Sequence, residues 1–423
     1  MPTTNSPTTS RVAMIVTRSF DDEPYLSRVR TLRAIHTAID TTFGADVYRL
    51  QSILETKSLP DLLYAGWVLL VNLLRFSPLP LQCILYTTRS SIKEISSAIE
   101  ANGYERVYLD TVRCISLLRA VTKLNNNQRN LSITVDFDDL FSRRMRTVVL
   151  NKMPLSLGFA QKYFSTTIRR AIEGPLARLI NRHEAATLSH VEHEIAHTAN
   201  SIVLVSQTER TLFAKSLSDG ASAVIHAIPP PALPQTNSSN VTPPVRFVFI
   251  GSDRQIHNRL SINFLLEMWR RLKPTTELHI YGKQQAPQPV PNVIWHGFVD
   301  ELSDVYTNHS ILILPALLSG GVKTKVVEAW AHGRPVLGNP AAFEGVQIPQ
   351  YPLQIQETDW TSLVTEPNEH LTTYRHAAQL GLHFVRTRLS PAHYRQLWCK
   401  AITPSIHATE SPETPSCPDR PQD

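Results

Sequence analysis

"ILILPALLSGGVKTKVVEAWAHGRPV" runs from Ile311 to Val336, and its reading decides the fold. The opening "ILILPA" (311–316) is almost continuously apolar. A strand of that kind is buried on both faces, as strands of parallel sheets are. Gly320 and Gly321 follow, then a helical stretch that ends at Gly333, a residue suited to a helix C-cap, before Pro335 opens the next strand. The unit is therefore strand, glycine loop, helix, strand. Without side chains, the two glycines let backbone N–H groups approach a ligand closely. The helix start adds unpaired N–H groups and the positive end of a dipole, which together make an anion seat. Lys323 and Lys325 bring full positive charge to it, and a diphosphate is the natural occupant. Glu328 lies three residues after Lys325, on the same side of the helix. A carboxylate there is a poor phosphate ligand but a good acceptor for ribose or sugar hydroxyls. The competing reading is a plain turn with solvated lysines and a solvated glutamate.

Outward from this unit the same grammar repeats. Strands are expected at 246–251, 277–282, 293–298, 311–316 and 335–339, with helices at 258–272, 300–309 and 323–333. In the first half, strands are expected at 11–17, 46–50, 83–87, 106–110, 132–137, 201–206 and 222–228, with a long helix over 167–198. Alternation of β and α predicts an α/β protein with buried parallel sheets and helices on both faces. Between the halves lies "PPPALPQTNSSNVTPP" (229–244), with six prolines and no charge, which reads as a linker. The predicted organisation is a disordered N-terminus (1–10), a first Rossmann-like domain (11–228), the linker (229–244), a second Rossmann-like domain (245–405) and a disordered tail (406–423). Two such domains face each other across a cleft, where the carboxyl ends of their strands place the ligand.

Composition narrows the class. Of 423 residues, 42% are hydrophobic and 18% charged, as in a folded protein rather than a disordered one. The net charge of +6 lies wholly in residues 1–240, which hold 26 basic against 20 acidic residues; the remainder holds 16 of each. That half either faces something anionic, such as a membrane surface or a phosphorylated acceptor, or is simply a mildly basic surface. No basic run is interleaved with aromatics, so nucleic acid is not an expected partner. Cys83, Cys114, Cys399 and Cys417 have neither metal-ligand nor redox spacing, and the N-terminus lacks the form of a signal peptide. The expectation is a reduced, cytoplasmic protein. "YAGWVLLVNLL" (64–74) is too short to span a bilayer.

From Phe247 to Val346 the sequence resembles the donor-binding domain of family-4 glycosyltransferases, the "glycosyl transferase group 1" class with the GT-B fold, in its exopolysaccharide-type subgroup with a Gly-Gly-x-x-x-K motif. The matching elements are "FIGS" with Asn258 ahead of a helix, "LHIYGK", "HGFVDELSDVY", the strand ending at Pro315, "GGVKTKVVEAWAHGRPV", and "EGV" at Glu344–Val346. "PLPLQCILY", "VDFDDLFSRRMR" and "SIVLVSQTERTLF" in the first half resemble the family more weakly. The resemblance implies a retaining, metal-independent transfer from a nucleotide-diphospho-sugar, held by the second domain, to a glycan or lipid-linked acceptor in the first. It needs no cofactor beyond the donor co-substrate. It implies that Glu328 lies near the donor ribose as the second glutamate of E-x7-E, and that Gly320 and Gly321 lie under the pyrophosphate and sugar. Phosphate contact is inferred for Lys323 and Lys325. Gly251, Ser252 and Asn258 would flank the donor, and Gly282, Phe298 and Val299 would rim the base. Two departures stand out: Gly320 takes the position of the first glutamate, and "GSDRQIHN" lacks the usual Arg and Lys, with Arg254 as stand-in.

Further candidates belong to the first domain. Asp138 and Asp139 in "VDFDDLFSRRMR" are candidates for acceptor hydroxyls, or else caps for the next helix. Arg18, Arg28 and Arg30 follow the first strand and would border the cleft, holding phosphate on donor or acceptor unless they are solvated. "NKMPLSLGFAQKYFSTTIRR" (151–170) mixes apolar and basic residues and is a candidate for peripheral membrane contact, against a core-packing alternative. His193 and His197 are four residues apart, but no metal site is expected. The expected function is polysaccharide or glycoconjugate synthesis. The alternative is a non-catalytic homologue that binds a sugar nucleotide or a partner enzyme. A dinucleotide dehydrogenase is excluded because neither "MIVTRSF" nor "FVFIGSDRQI" supplies Gly-x-Gly-x-x-Gly.

Overall fold

The computed structural model describes residues 11–21, 27–75, 77–125, 131–150, 177–218, 220–253, 255–284 and 289–403. The 151–170 segment lies wholly outside these residues, as do Arg254, the N-terminal ten residues and the tail from 404.

Two parallel sheets form the frame. The first holds β1 (Val12–Val16), β2 (Ala45–Arg49), β3 (Arg106–Asp110), β4 (Ser132–Asp138), β5 (Ser201–Leu204) and β6 (Val224–Ala227), in the order β2-β1-β3-β4-β5-β6. The second holds β7 (Arg246–Ile250), β8 (Leu278–Tyr281), β9 (Val293–Gly297), β10 (Ser310–Leu314) and β11 (Val336–Gly338), in the order β11-β10-β7-β8-β9. All neighbours pair in parallel. Every residue of β1 and β10 is buried, as their unbroken apolar character requires. Each such side chain contributes about 1.5–3 kcal/mol relative to exposure.

The order of strands fixes where a ligand sits. In each sheet the chain lays strands to one side of a central strand and then crosses to the other side. The crossing falls between β1 and β3 in the first sheet and between β7 and β10 in the second. Crevices outside the carboxyl ends of strands at such switch points are the binding places of open α/β sheets.

Three features differ from the expectations. "CILYT" (83–87) is not a strand: Leu81–Ile84 is one helical turn, with Pro80 at its N-cap and the Ile84 N–H donating to the Pro80 carbonyl at 3.1 Å. The 300–309 helix shrinks to Leu302–Val305. The helix Pro391–Ile402, counted with the second domain, instead packs on the first sheet. There Tyr394, Trp398, Ala401 and Ile402 join Val12, Met14 and Tyr108 in one core, and the Thr134 hydroxyl donates to the Ala401 carbonyl at 3.0 Å.

The proline-rich stretch is held against the second domain rather than hanging free. Arg334, 1% exposed, donates to the carbonyls of Ser238 at 3.1 Å and Asn240 at 2.8 Å. A Cβ on Gly333 would lie 2.1 Å from the Ser238 carbonyl oxygen, so the glycine permits this approach as well as capping the helix.

Candidate active site

The loop after β10 reaches the carboxyl edge of the second sheet and carries Gly320 at φ 110° and Gly321 at φ 63°. Both values favour glycine. The helix Thr324–Ala331 then begins, with Lys323 at its N-cap in extended conformation. Lys325, half-buried, donates from Nζ to Asn258 Oδ1 at 2.6 Å and lies 4.4 Å over the Phe249 ring. Burial lowers its pKa to about 7, against the raising effect of Glu328. Lys323 donates to the Gly320 carbonyl, and burial brings its pKa to about 8. Two ammonium groups thus share a site in which neither is well hydrated, which is the condition for binding an anion strongly.

Asn258 in turn donates to the Ser252 carbonyl at 3.0 Å. A Cβ on Gly251 would stand 2.6 Å from the Asn258 side chain, and one on Gly282 would stand 2.7 Å from the Gly251 backbone. These two glycines therefore let the β7 loop, the β8 loop and the Asn258 side chain pack together. The Ser252 hydroxyl donates to the Lys283 carbonyl at 2.7 Å. Phe298 is exposed, with the Lys283 ammonium 5.4 Å from its ring, and Val299 packs against the core. Arg254 lies outside the described residues.

The first sheet faces this loop with its own charged group. Arg28, its side chain 11% exposed, contacts three carboxylates from strand ends: Asp110 at 2.5 Å, Asp136 at 2.8 Å and Asp138 at 3.2 Å. Asp110 also accepts from the Thr17 N–H at 2.9 Å, and Asp136 from the Tyr108 hydroxyl at 2.8 Å. Burial pushes the Asp110 carboxyl up, but Arg28 and Thr17 outweigh it and hold it below the usual range. For Asp136 burial prevails, helped by Asp138, and its pKa is raised. Asp138 sits at φ 63° beside an irregularity in the β4–β5 pairing, which turns its half-exposed side chain out of the regular strand. Arg28 is thus committed to carboxylates of its own domain.

Several contacts cross between the domains. Arg30 donates to Glu328 at 3.1 Å. Asp139 is ion-paired to Arg144, and a Cβ on Gly321 would fall 2.2 Å from Asp139 Oδ1. Gly321 therefore makes room for the first domain. Glu344 accepts from the Gly320 N–H at 2.9 Å and is ion-paired to Arg143, which also lies 3.7 Å from the buried Glu209. Burial, reinforced by Glu344, raises the Glu209 pKa. A protein carboxylate thus holds one of the glycine-loop donors expected to meet a phosphate.

Of the residues singled out in the sequence, Gly320, Gly321, Lys323, Lys325, Glu328, Asn258, Arg30 and Asp139 converge here. Asp110, Asp136, Arg143, Glu209 and Glu344 were not assigned roles. Asp110 ends an ordinary apolar strand, and only the strand order reveals its partner 82 residues away, Arg28. Glu344 was visible as part of "EGV", without anything to say what its carboxylate meets. Among the described residues no group of three or more His, Cys, Asp or Glu is arranged to hold a metal ion. His193 and His197 are accounted for locally, His193 Nε2 lying 3.3 Å from the Ser216 hydroxyl and His197 Nδ1 2.8 Å from the His193 carbonyl.

Residues 244–364 match the family model described as Glycosyl transferases group 1. No curated protein matches the chain significantly in sequence. Among solved structures, sucrose-phosphate synthase from Thermosynechococcus elongatus aligns with a TM-score of 0.57 at 14% identity, covering 92% of this chain and 98% of that one. The Anabaena protein HepE, solved with UDP-glucose, gives 0.53 at 12% identity, covering 92% and 98%. A glycosyltransferase from Rickettsia africae ESF-5 gives 0.55 at 11% identity, covering 94% and 100%. The chain is therefore similar to group 1 glycosyl transferases over residues 244–364, and its two α/β domains have the GT-B fold.

Proposed function

We propose that this chain is a glycosyltransferase of the family-4 type, moving a sugar from a nucleotide-diphospho-sugar to a glycan or lipid-linked acceptor with retention of configuration. The observation that carries the reading is the pair Lys323 and Lys325 on a two-glycine helix start, at the switch point of the sheet whose sequence matches the glycosyl transferase model. HepE, which shares the fold, was solved with UDP and with UDP-glucose, and a diphosphate of that kind suits two poorly hydrated ammonium groups.

In this reading negative charge collects on the β-phosphate as the bond from anomeric carbon to phosphate oxygen breaks. Lys325 and Lys323 stabilise that charge more in the transition state than in the ground state. Glu328 accepts hydroxyls of the nucleotide ribose. Asp138, turned outward at the end of β4, accepts an acceptor hydroxyl. Phe298 and Val299 line the side of the base. The Gly320 N–H turns to phosphate when Glu344 withdraws with Arg143. No metal is required, since the lysines supply the positive charge.

Glu344 favours a second reading, a homologue that binds without transferring, because its carboxylate holds the Gly320 N–H. One experiment addresses both. A panel of nucleotide-diphospho-sugars is screened for thermal stabilisation and for slow hydrolysis of the donor, with Lys325→Met and Glu328→Ala beside the native chain. A transferase is stabilised by one donor, cleaves it slowly, and loses both properties in Lys325→Met. Stabilisation without cleavage in any acceptor mixture establishes the binding homologue. No stabilisation by any member of the panel refutes the proposal.

A further inference from the structure

The helix Leu59–Leu74 is apolar on two sides: Ala65, Val68 and Leu69 pack against the first domain's core, and a second apolar face is left uncovered. Ordinarily the apolar stripe faces the core and the charged residues face water. Here Asp61, Ala65 and Asn72 are buried, whereas Leu59, Leu63, Trp67, Leu70, Leu73 and Leu74 are exposed, Leu63 at 66% and Trp67 at 61%. At 100° per residue these exposed side chains cover an arc of roughly 120° and the buried polar ones lie opposite. Both buried polar residues are satisfied: Asp61 accepts from the Ser90 N–H at 3.0 Å and its hydroxyl at 2.7 Å, and Asn72 donates to the Val68 carbonyl at 2.7 Å. Turning the helix to bury the exposed face would strip Asp61 of its partners. The apolar face is roughly 24 Å long, and no charged side chain interrupts it. Lys57 stands exposed just before it and Arg75 just after it, with exposed Arg89 beside its first turn. A continuous apolar patch of this kind marks an interaction site.

Charge decides the occupant. If two copies paired through this face antiparallel, Lys57 of one would meet Arg75 of the other. If they paired parallel, Lys57 would meet Lys57. Either arrangement sets like charges together at both ends, and the nearby Glu55 is already ion-paired to Arg49. A bilayer with anionic headgroups fits. Acyl chains accept the leucines, tryptophan sits at the interface, and the basic residues at the ends reach phosphate. No described helix is long and apolar enough to cross a membrane, so the helix would lie in the surface plane.

We propose that the exposed face of Leu59–Leu74 is a docking surface for an anionic lipid bilayer, with Leu63, Trp67 and Leu70 inserted and Lys57 and Arg75 on the headgroups. The helix begins at the carboxyl edge of the first sheet, only nine residues after β2 ends, so docking would hold the edge that carries Asp138 close to the membrane. The inference rests on exposure and charge, not on the transferase reading, and vesicle binding is measured separately from donor binding.

The test is flotation of the full-length chain with phosphatidylcholine vesicles and with vesicles that also contain phosphatidylglycerol. The native chain should float with the latter, and its Trp67 emission should shift to shorter wavelength. Leu63→Gln/Leu70→Gln should weaken partitioning by about tenfold or more without lowering Tm. Lys57→Glu/Arg75→Glu should weaken binding to the anionic vesicles more than to the neutral ones. If the native chain stays at the bottom with both lipids, the proposal is overturned. It is equally overturned if the chain forms a dimer in solution that Leu63→Gln/Leu70→Gln splits.

Discussion

Lys325 carries the sharpest consequence at the scale of one residue. Its pKa falls from 10.5 to about 7 because burial removes water from the ammonium group. Between those values the unfolded chain holds a proton that the folded one releases, so folding stability rises with pH across this window. Lys325→Met should flatten that slope in urea melts taken at a series of pH values, leaving the smaller contribution of Lys323. Diphosphate reverses the situation by drawing a proton onto the lysine. Donor binding should therefore take up protons and weaken as pH climbs above 7. Calorimetry in buffers of different ionisation enthalpy reads that uptake directly, and Lys325→Met should show less of it. In a working enzyme the same substitution should cost about 2–4 kcal/mol of barrier, seen as lower kcat. Arg28 is the opposite case, a cation held by three carboxylates. Arg28→Met leaves those carboxylates facing one another and should destabilise the first domain by about 3–5 kcal/mol at neutral pH. The deficit should shrink as pH falls and the carboxylates take up protons.

At the scale of elements, the glycine loop and Asp139 form one contact with two halves. Gly321→Ala places a methyl group onto Asp139 and demands a left-handed backbone from alanine. It should lower stability by at least about 1 kcal/mol, and Asp139→Ala should recover the steric part but not the backbone part. Equilibrium unfolding of the two single variants and the double variant separates these. The elements themselves were largely legible. β7, β8 and β10 announce themselves as apolar runs because parallel strands are buried on both faces. "CILYT" is equally apolar, yet it curls into one helical turn after Pro80, since apolar character alone does not distinguish a buried strand from a buried turn. The glycine loop was legible because its chemistry is local. The Arg28 cluster and the Glu344–Gly320 bond were not, because each joins residues whose proximity depends on strand order.

At the scale of the whole molecule, the two domains are joined twice, by the stretch 229–244 and again where the chain passes from the helix Leu371–Arg388 to Pro391–Ile402. Trp398 meets Tyr108 edge-on at 5.7 Å in the first domain's core. Trp398→Ala should therefore cost about 3–5 kcal/mol, and the loss should appear in the unfolding of the first domain, although residue 398 follows the whole second domain in sequence. Differential scanning calorimetry, with Arg28→Met marking the transition of the first domain, resolves which transition moves. The boundary drawn from sequence at 405 missed this because an amphipathic helix shows that it has a partner without showing which one.

The same helix has a consequence for synthesis. Ribosomes make proteins from the amino end, yet the wall that completes the hydrophobic interior around β1, β3 and β5 is supplied by residues 391–402. The earlier-made half must wait, with one face of its sheet uncovered, until residues 391–402 have emerged. Nascent chains stopped short of residue 391 should be held by chaperones or precipitate, and release should come only when the helix Pro391–Ile402 is translated.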